Sequence, residues 1–158
     1  MAITLSAPTT AAGEVLHLAT FYVADLCLAL EIKQIQEIIR YIPVTCVPHA
    51  PPEVSGVINL RGEVTTIVDL RKQLGMPPSS TPGDRRTLIV RSQGESIGLI
   101  VDRVADITAV NSQSLLPPPP NVGAVDGRFF LGVYQRDDEI IVLLNLDDTL
   151  SNLPSASK

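Results

Sequence analysis

Arg61 is the most unusually placed ionisable residue of this chain. It lies at the tip of an apolar hairpin in the run GVINLRGEVTTIVDL, residues 56–70. A turn arginine can simply be solvated. It can also pair with an acid, and Glu37 is the candidate. Ile35, Ile38 and Ile39 surround Glu37, and an unpaired carboxylate among them would be costly to bury. An arginine–carboxylate pair is directional and charge-assisted, so its chemistry is recognition: it can fix a surface for a partner.

Catalytic chemistry finds less support. Asp69, Asp102 and Asp126 could be imagined as the carboxylates of a small hydrolase, marked by a groove where they cluster around a metal. Each also has a simpler local reading: Asp69 as a helix cap, Asp102 with Arg103 as an exposed strand end, and Asp126-Gly127 as a turn. His17 falls on an apolar strand, partly packed, and His49 in a proline-rich loop. Neither has a Ser, Cys or acid at motif spacing, so a nucleophile–base system is not supported. Cys27 and Cys46 lack metal-ligand spacing and read as buried small hydrophobes. No phosphate-binding loop, dinucleotide fingerprint or metal cluster appears, so neither enzyme activity nor a cofactor is expected.

The elements that must position these residues are strands. The chain has 158 residues, room for one domain or two very small ones packed together. Aromatic residues make up only 4%, with no Trp, so the core must be aliphatic, and its β-branched residues favour strands. The net charge of −5 and the absence of a basic run remove the electrostatic footprint of a nucleic-acid binder. They also argue against adhesion to anionic membranes. Residues 1–13 read as a flexible tail and not as a signal peptide, residues 151–158 as a second tail, and no run is apolar enough to span a membrane.

Along the chain, Val15–Val23 reads as a strand and Ala24-Asp25 as a turn. In the next strand Leu28, Leu30 and Ile32 alternate with Cys27, Ala29 and Glu31. Residues 33–40 fit a helix through Ile32, Ile35 and Ile39, or a strand through Ile35, Glu37 and Ile39. Residues 43–48 should be extended. Pro51-Pro52-Glu53 suits the first turn of a short helix. Asp69 is placed to cap a helix over Leu70–Leu74, closed by Gly75. Residues 75–85 form a linker, and a hairpin turns at Gln93-Gly94.

Two blocks recur. At an offset of 76, Gly56, Val57, Glu63, Val64, Ile67, Asp69 and Leu70 meet Gly132, Val133, Glu139, Ile140, Leu143, Asn145 and Leu146. At an offset of 69, Leu28, Leu30, Ile32, Ile35, Glu37 and Ile38 meet Ile97, Leu99, Val101, Val104, Asp106 and Ile107. An insertion around residues 115–120, LLPPPP, accounts for the difference; the prolines read as a stiff connection between strands. Such repetition predicts a duplicated unit of about five short strands. Closing each sheet into a small barrel would remove its edges, giving a first barrel over 14–74 and a second over 86–150. The groove between them is the natural binding surface. Asp106 stands where Glu37 does, but Asp137 stands where Arg61 does. The ion pair is therefore expected in the first half only.

These features resemble one family. The alternating strand pair, the Ile-Gln-Glu-Ile block at 35–38, the run at 56–70 and IGLIVDRVADI at 97–107 are together similar to CheW, the chemotaxis coupling family, over residues 14–150. The NLRG turn followed by an apolar strand ending in Asp-Leu is the most specific part. The resemblance implies a mostly β fold: two SH3-like five-stranded barrels on a shared aliphatic core, with a few short helices. It implies a non-catalytic cytoplasmic adaptor, recruited to membrane receptor arrays, linking chemoreceptor tips to the regulatory domain of the histidine kinase CheA. A paralogous adaptor for twitching motility or surface sensing is the alternative. Carried over by motif, the receptor groove would involve Ile35, Glu37, Gly56, Arg61, Gly98, Val104 and Ile107. The kinase-facing surface would involve Val44, Cys46 and Val57.

Overall fold

The computed structural model describes residues 14–150, apart from 25, 41–42, 77–84, 93 and 123–124. Both expected tails and most of the expected linker lie outside the described residues. Twelve strands among the described residues carry the fold. The first half supplies β1 (Val15–Val23), β2 (Leu26–Glu31), β3 (Ile35–Arg40), β4 (Val54–Leu60) and β5 (Glu63–Asp69). The second supplies β6 (Arg86–Ser92), β7 (Glu95–Val101), β8 (Arg103–Asn111), a two-residue pair β9 (Asn121–Val122) and β10 (Val125–Asp126), then β11 (Phe130–Arg136) and β12 (Glu139–Leu144). Short helices α1 (Leu70–Gln73) and α2 (Leu146–Leu150) follow β5 and β12. No helix among the described residues is long and apolar enough to cross a membrane.

Two five-stranded sheets form. Sheet I has the order β11-β12-β2-β1-β8, and sheet II the order β4-β5-β7-β6-β3. The two orders are the same when each strand is replaced by its repeat partner, and both contain one parallel pair, β12 with β2 and β5 with β7. The duplication is therefore real, but the expected boundary is not. β1 and β2 leave the first half to complete sheet I, and β6 and β7 leave the second half to complete sheet II. Neither 14–74 nor 86–150 is a barrel alone. Each half lends its leading hairpin to the other, where those strands find the neighbours that satisfy their backbone groups.

The outer strands of each sheet are linked by a single bridge. In sheet II the chain beyond β3 returns to pair Thr45 with Val57 of β4, with both N···O distances 2.9 Å. In sheet I the chain beyond β8 pairs Leu116 with Val133 of β11, at 2.8 and 2.9 Å. Glycine makes both approaches possible. A Cβ on Gly56, whose φ is +152°, would sit 2.3 Å from the Thr45 carbonyl oxygen, and one on its repeat partner Gly132 would sit 2.8 Å from that of Leu116. These linked edges leave fewer unpaired backbone groups.

Alternation within the strands divides the core. Leu28 and Leu30 of β2, with Leu88, Val90, Leu99 and others from sheet II, enter one large cluster between the sheets. Cys27 and Ala29 face the other way, into a small cluster inside sheet I with Leu18, Ile141 and Leu143. Ile58, Ile67 and Ile100 form the matching cluster inside sheet II. Strands buried on both faces explain why the sequence reads as runs of aliphatic residues.

Several local expectations meet the structure. Asp69 caps α1 through the Arg71 amide at 3.0 Å, and its repeat partner Asn145 accepts from the Asp148 amide at 3.1 Å. Pro51-Pro52-Glu53 is not a helix start: it forms a turn, closed by the Val54 amide on the Pro51 carbonyl at 3.0 Å, because Val54 and Ser55 already belong to β4. Cys46 and His17 are exposed and not packed, and Cys27 alone of the cysteines is buried. Asp102 is not a free strand end. Arg71 grips it bidentately, at 3.0 Å from Nε and 2.6 Å from Nη2, and the Ala24 amide adds a third bond at 2.7 Å. This knot ties α1, which follows β5 of sheet II, to the β1–β2 turn of sheet I. Burial opposes ionisation of Asp102, but Arg71 and the amide hold its carboxyl below the usual range.

Candidate functional site

Two strands that the internal repeat pairs, β3 and β8, are outer strands, one in each sheet. They face each other across a groove of about 570 Å³. One wall carries Ile35, Glu37 and Ile38; the other carries Val104, Asp106 and Ile107. These are the residues matched at an offset of 69, so the groove is pseudo-symmetric. Ile32, Ala19 and Ala105 complete the lining.

A bulge recurs on both walls. Ile35 lies opposite Val90 while Glu37 lies opposite Ile89, so Gln36 is extra. Val104 lies opposite Phe21 while Ile107 lies opposite Ala19, so β8 gains a residue at the matching place. An extra residue breaks the period of two and re-aims the side chains beyond it. Ile35 and Val104 anchor each wall in the shared core, while Ile38 and Ile107 remain exposed, Ile107 by 64%. The same bulge explains why the pattern over residues 33–40 fits a helix as well as a strand. Ile32–Gln34 is one 3-10 turn, and the strand then begins with an irregular step.

Polar groups occupy the rims. Arg61 donates from Nη2 to Glu37, as the sequence suggested. Its φ of +53°, followed by +83° at Gly62, makes a two-residue type I′ turn, and Asn59 Oδ1 accepts from the Gly62 amide at 2.8 Å. The pair is not confined to the first half. In sheet I, Arg136 reaches both Asp106 oxygens at 3.5 Å. The expectation failed because it compared only turn tips: the second arginine sits one residue earlier, at the end of β11, and reaches the same place.

The second rim has additional support. The fully buried Thr20 hydroxyl donates to Asp106 Oδ1 at 2.5 Å and accepts from the Asp106 amide at 3.1 Å. Glu139 accepts from Arg136 at 3.4 Å with one oxygen and from the Tyr22 hydroxyl with the other. Arg103 lies over the Tyr22 ring, 3.9 Å from its centroid. The Thr20 hydrogen bond, with help from Arg136, holds the Asp106 carboxyl below the usual range. The hydrogen bond to Glu139, reinforced by burial, pushes Tyr22 up to about 12.

Of the residues expected to shape the groove, Ile35, Glu37, Val104 and Ile107 line it, and Arg61 holds its rim. Gly56 and Gly98 are elsewhere. Gly56 serves the Thr45–Val57 bridge, and a Cβ on Gly98 would meet Ile67 and Thr87 side chains inside sheet II at 2.5 and 2.8 Å. Ile38 and Asp106 line the groove but were not assigned to it; their matches in the internal repeat were the available signal. Val44, Cys46 and Val57 come together around the Thr45–Val57 bridge. The carboxylates imagined for a hydrolase are held by structural bonds: Asp69 caps α1 and Asp102 grips Arg71. Asp126 falls in β10. The groove offers an apolar floor and two polar rims, which suits binding of an amphipathic surface.

The model of the CheW-like domain matches residues 17–153. The chain is 32% identical to a probable chemotaxis protein CheW of Rhizobium etli over 139 residues, covering 88% of this chain and 90% of that protein. It is 37% identical to chemotaxis protein CheW of Rhizobium meliloti, covering 83% and 84%, and 32% identical to protein FrzA of Myxococcus xanthus, covering 82% of each. Among solved structures, the scaffolding protein TtCheW of Thermoanaerobacter tengcongensis superposes with a TM-score of 0.78 at 32% identity, over 84% of this chain and 86% of that one. With family model, sequence relatives and fold in agreement over nearly all the described residues, the chain belongs to the CheW-like domain family.

Proposed function

We propose that this protein is a non-catalytic adaptor coupling the cytoplasmic tips of chemoreceptors to the histidine kinase CheA in a chemotaxis signalling array. The observation that carries the reading is the groove between β3 and β8, apolar at its floor and bounded by Glu37–Arg61. A receptor tip is a helical hairpin. One face of it would lay aliphatic side chains against Ile35, Ile38, Val104 and Ile107, gaining roughly 25 cal/mol per Å² of apolar area removed from water. The charged rims would set its register. The CheA regulatory domain would take a separate surface around Val44, Cys46 and Val57. Two separate surfaces allow two partners at once, which an adaptor needs.

Purified protein should bind a CheA regulatory domain and a receptor-tip fragment simultaneously, seen as a ternary complex in sedimentation velocity. Competition between the two for one site would overturn the reading. The match to FrzA favours a second reading of the same geometry, an adaptor in a paralogous pathway such as surface sensing or twitching motility. Affinities against each candidate kinase regulatory domain of the organism separate the two.

A further inference from the structure

We infer that Asp106 and Arg136 are positioning residues of the groove's second wall, holding Val104 and Ile107 in register with Ile35 and Ile38 so that a helical receptor tip engages both walls together. The inference rests on the receptor-groove reading above and assigns it a second, separate determinant. Three observations carry it.

Asp106 occupies the bulge position that matches Glu37 and lines the groove, its side chain 58% exposed. It is held from behind by Thr20, which has no exposed surface, and from the side by Arg136. Arg136 is itself only 26% exposed, and Glu139 and Tyr22 extend the chain of contacts away from the groove. A bulge leaves one residue out of the ladder and re-aims the side chains beyond it. The Thr20 hydroxyl bonds the Asp106 amide and carboxylate together, fixing backbone and side chain at that point. Ile107, the most exposed large hydrophobic among the described residues, comes immediately after it. Its aim into the groove therefore depends on how Asp106 is held.

The experiment measures affinity of the full chain for a soluble coiled-coil fragment carrying a chemoreceptor tip, and separately for a CheA regulatory domain. The variants are Asp106→Ala, Arg136→Ala, Arg136→Lys, Thr20→Val and Thr20→Ser, with Arg61→Ala alongside. Asp106→Ala, Arg136→Ala and Thr20→Val should each weaken receptor-tip binding about tenfold, the scale of one lost charge or hydrogen-bond anchor. Kinase-domain affinity should not change, and Arg136→Lys and Thr20→Ser should recover most of the loss. Should one variant fail to fold, the conservative pairs at Thr20 and Arg136 still decide the matter. Normal tip binding by Arg136→Ala and Thr20→Val, with Arg61→Ala impaired, would overturn the inference while leaving the groove reading intact. Equal losses for both partners would reduce the network to a folding role and also overturn it. Normal tip binding by all variants, Arg61→Ala included, would remove the groove reading itself, and this inference with it.

Discussion

Glu37 with Arg61 on one wall, and Asp106 with Arg136 on the other, occupy matching places in a duplicated chain, yet they are built differently. Arg61 extends from a left-handed turn position, is 67% exposed and has Glu37 as its ion-pair partner. Arg136 projects from the end of a strand, is largely covered and joins Asp106 to Glu139 and Tyr22. Thr20 and Tyr22 have no like counterparts in sheet II, where Ile89 stands at Thr20's place and Arg91 at Tyr22's, although Glu63 matches Glu139. The repeat thus preserved the location of a charge pair while changing which backbone position supplies the arginine. One wall carries an exposed pair on a flexible side chain. The other carries a pair set in a network before any partner arrives, and preorganisation lowers the ordering cost of binding.

The sharpest test of the likeness between the halves is at the glycines that let each sheet's outer strands meet. Gly56→Ala forces a Cβ against the Thr45 carbonyl at an unfavourable φ and should cost about 3 kcal/mol or more in urea unfolding. Gly132→Ala has a wider clearance and should cost about 1–2 kcal/mol. Equal costs would show that the two bridges are mechanically the same.

Asp102 joins the two regions. Asp102→Ala leaves Arg71 half-buried without this partner and should cost about 2 kcal/mol, below the range for fully buried pairs. Its native carboxyl sits below the ordinary range, so its contribution is complete at neutral pH. It is lost as pH falls from the ordinary carboxylate range through that depressed value, an interval in which the unfolded chain holds a proton that the native one does not. The acid limb of the wild-type stability curve should flatten in Asp102→Asn; an unchanged limb would assign it to other carboxylates.

Between the rims themselves the difference should be smaller. Arg136→Ala should destabilise by about 1 kcal/mol and Arg61→Ala by about 0.5 kcal/mol or less, since the second is an exposed pair. Arg61→Ala should nonetheless weaken kinase activation in reconstituted arrays, and unchanged activation would remove it from the receptor contact. The least effect is at high pH. Tyr22, pushed up to about 12 chiefly by its bond to Glu139, should ionise above the ordinary tyrosine range by ultraviolet titration. Its raised pKa adds stability that is fully present below pH ~10 and fades as pH rises toward 12. Tyr22→Phe removes both signatures.

Much of this was legible in the chain. Alternation placed the strands, Asp69 marked its helix, and the doubled blocks revealed the duplication, because those signals depend on neighbours a few residues apart. Glu37 and Arg61 could be paired since one was an isolated acid among isoleucines and the other a lone arginine at an apolar tip. Asp106–Arg136 could not, because an arginine one position off the aligned turn looks like a mismatch in letters. Gly56 and Gly98 were assigned to the groove by motif; their close contacts turn on which backbone or side chain approaches, which no local pattern records.

By itself the sequence determined two copies of a five-strand unit, an aliphatic interior and the absence of a nucleophile–base motif. These come from periodicity and composition, which are local and additive. Only the tertiary structure decided that each half lends its first hairpin to the other, that Thr45 and Leu116 link the outer strands, and that two carboxylate–arginine pairs face one groove. Strand order and side-chain reach depend on pairings between residues far apart in the chain. Two arrangements of the same hairpins, exchanged or not, present the same local sequence, and only packing in the shared core distinguishes them.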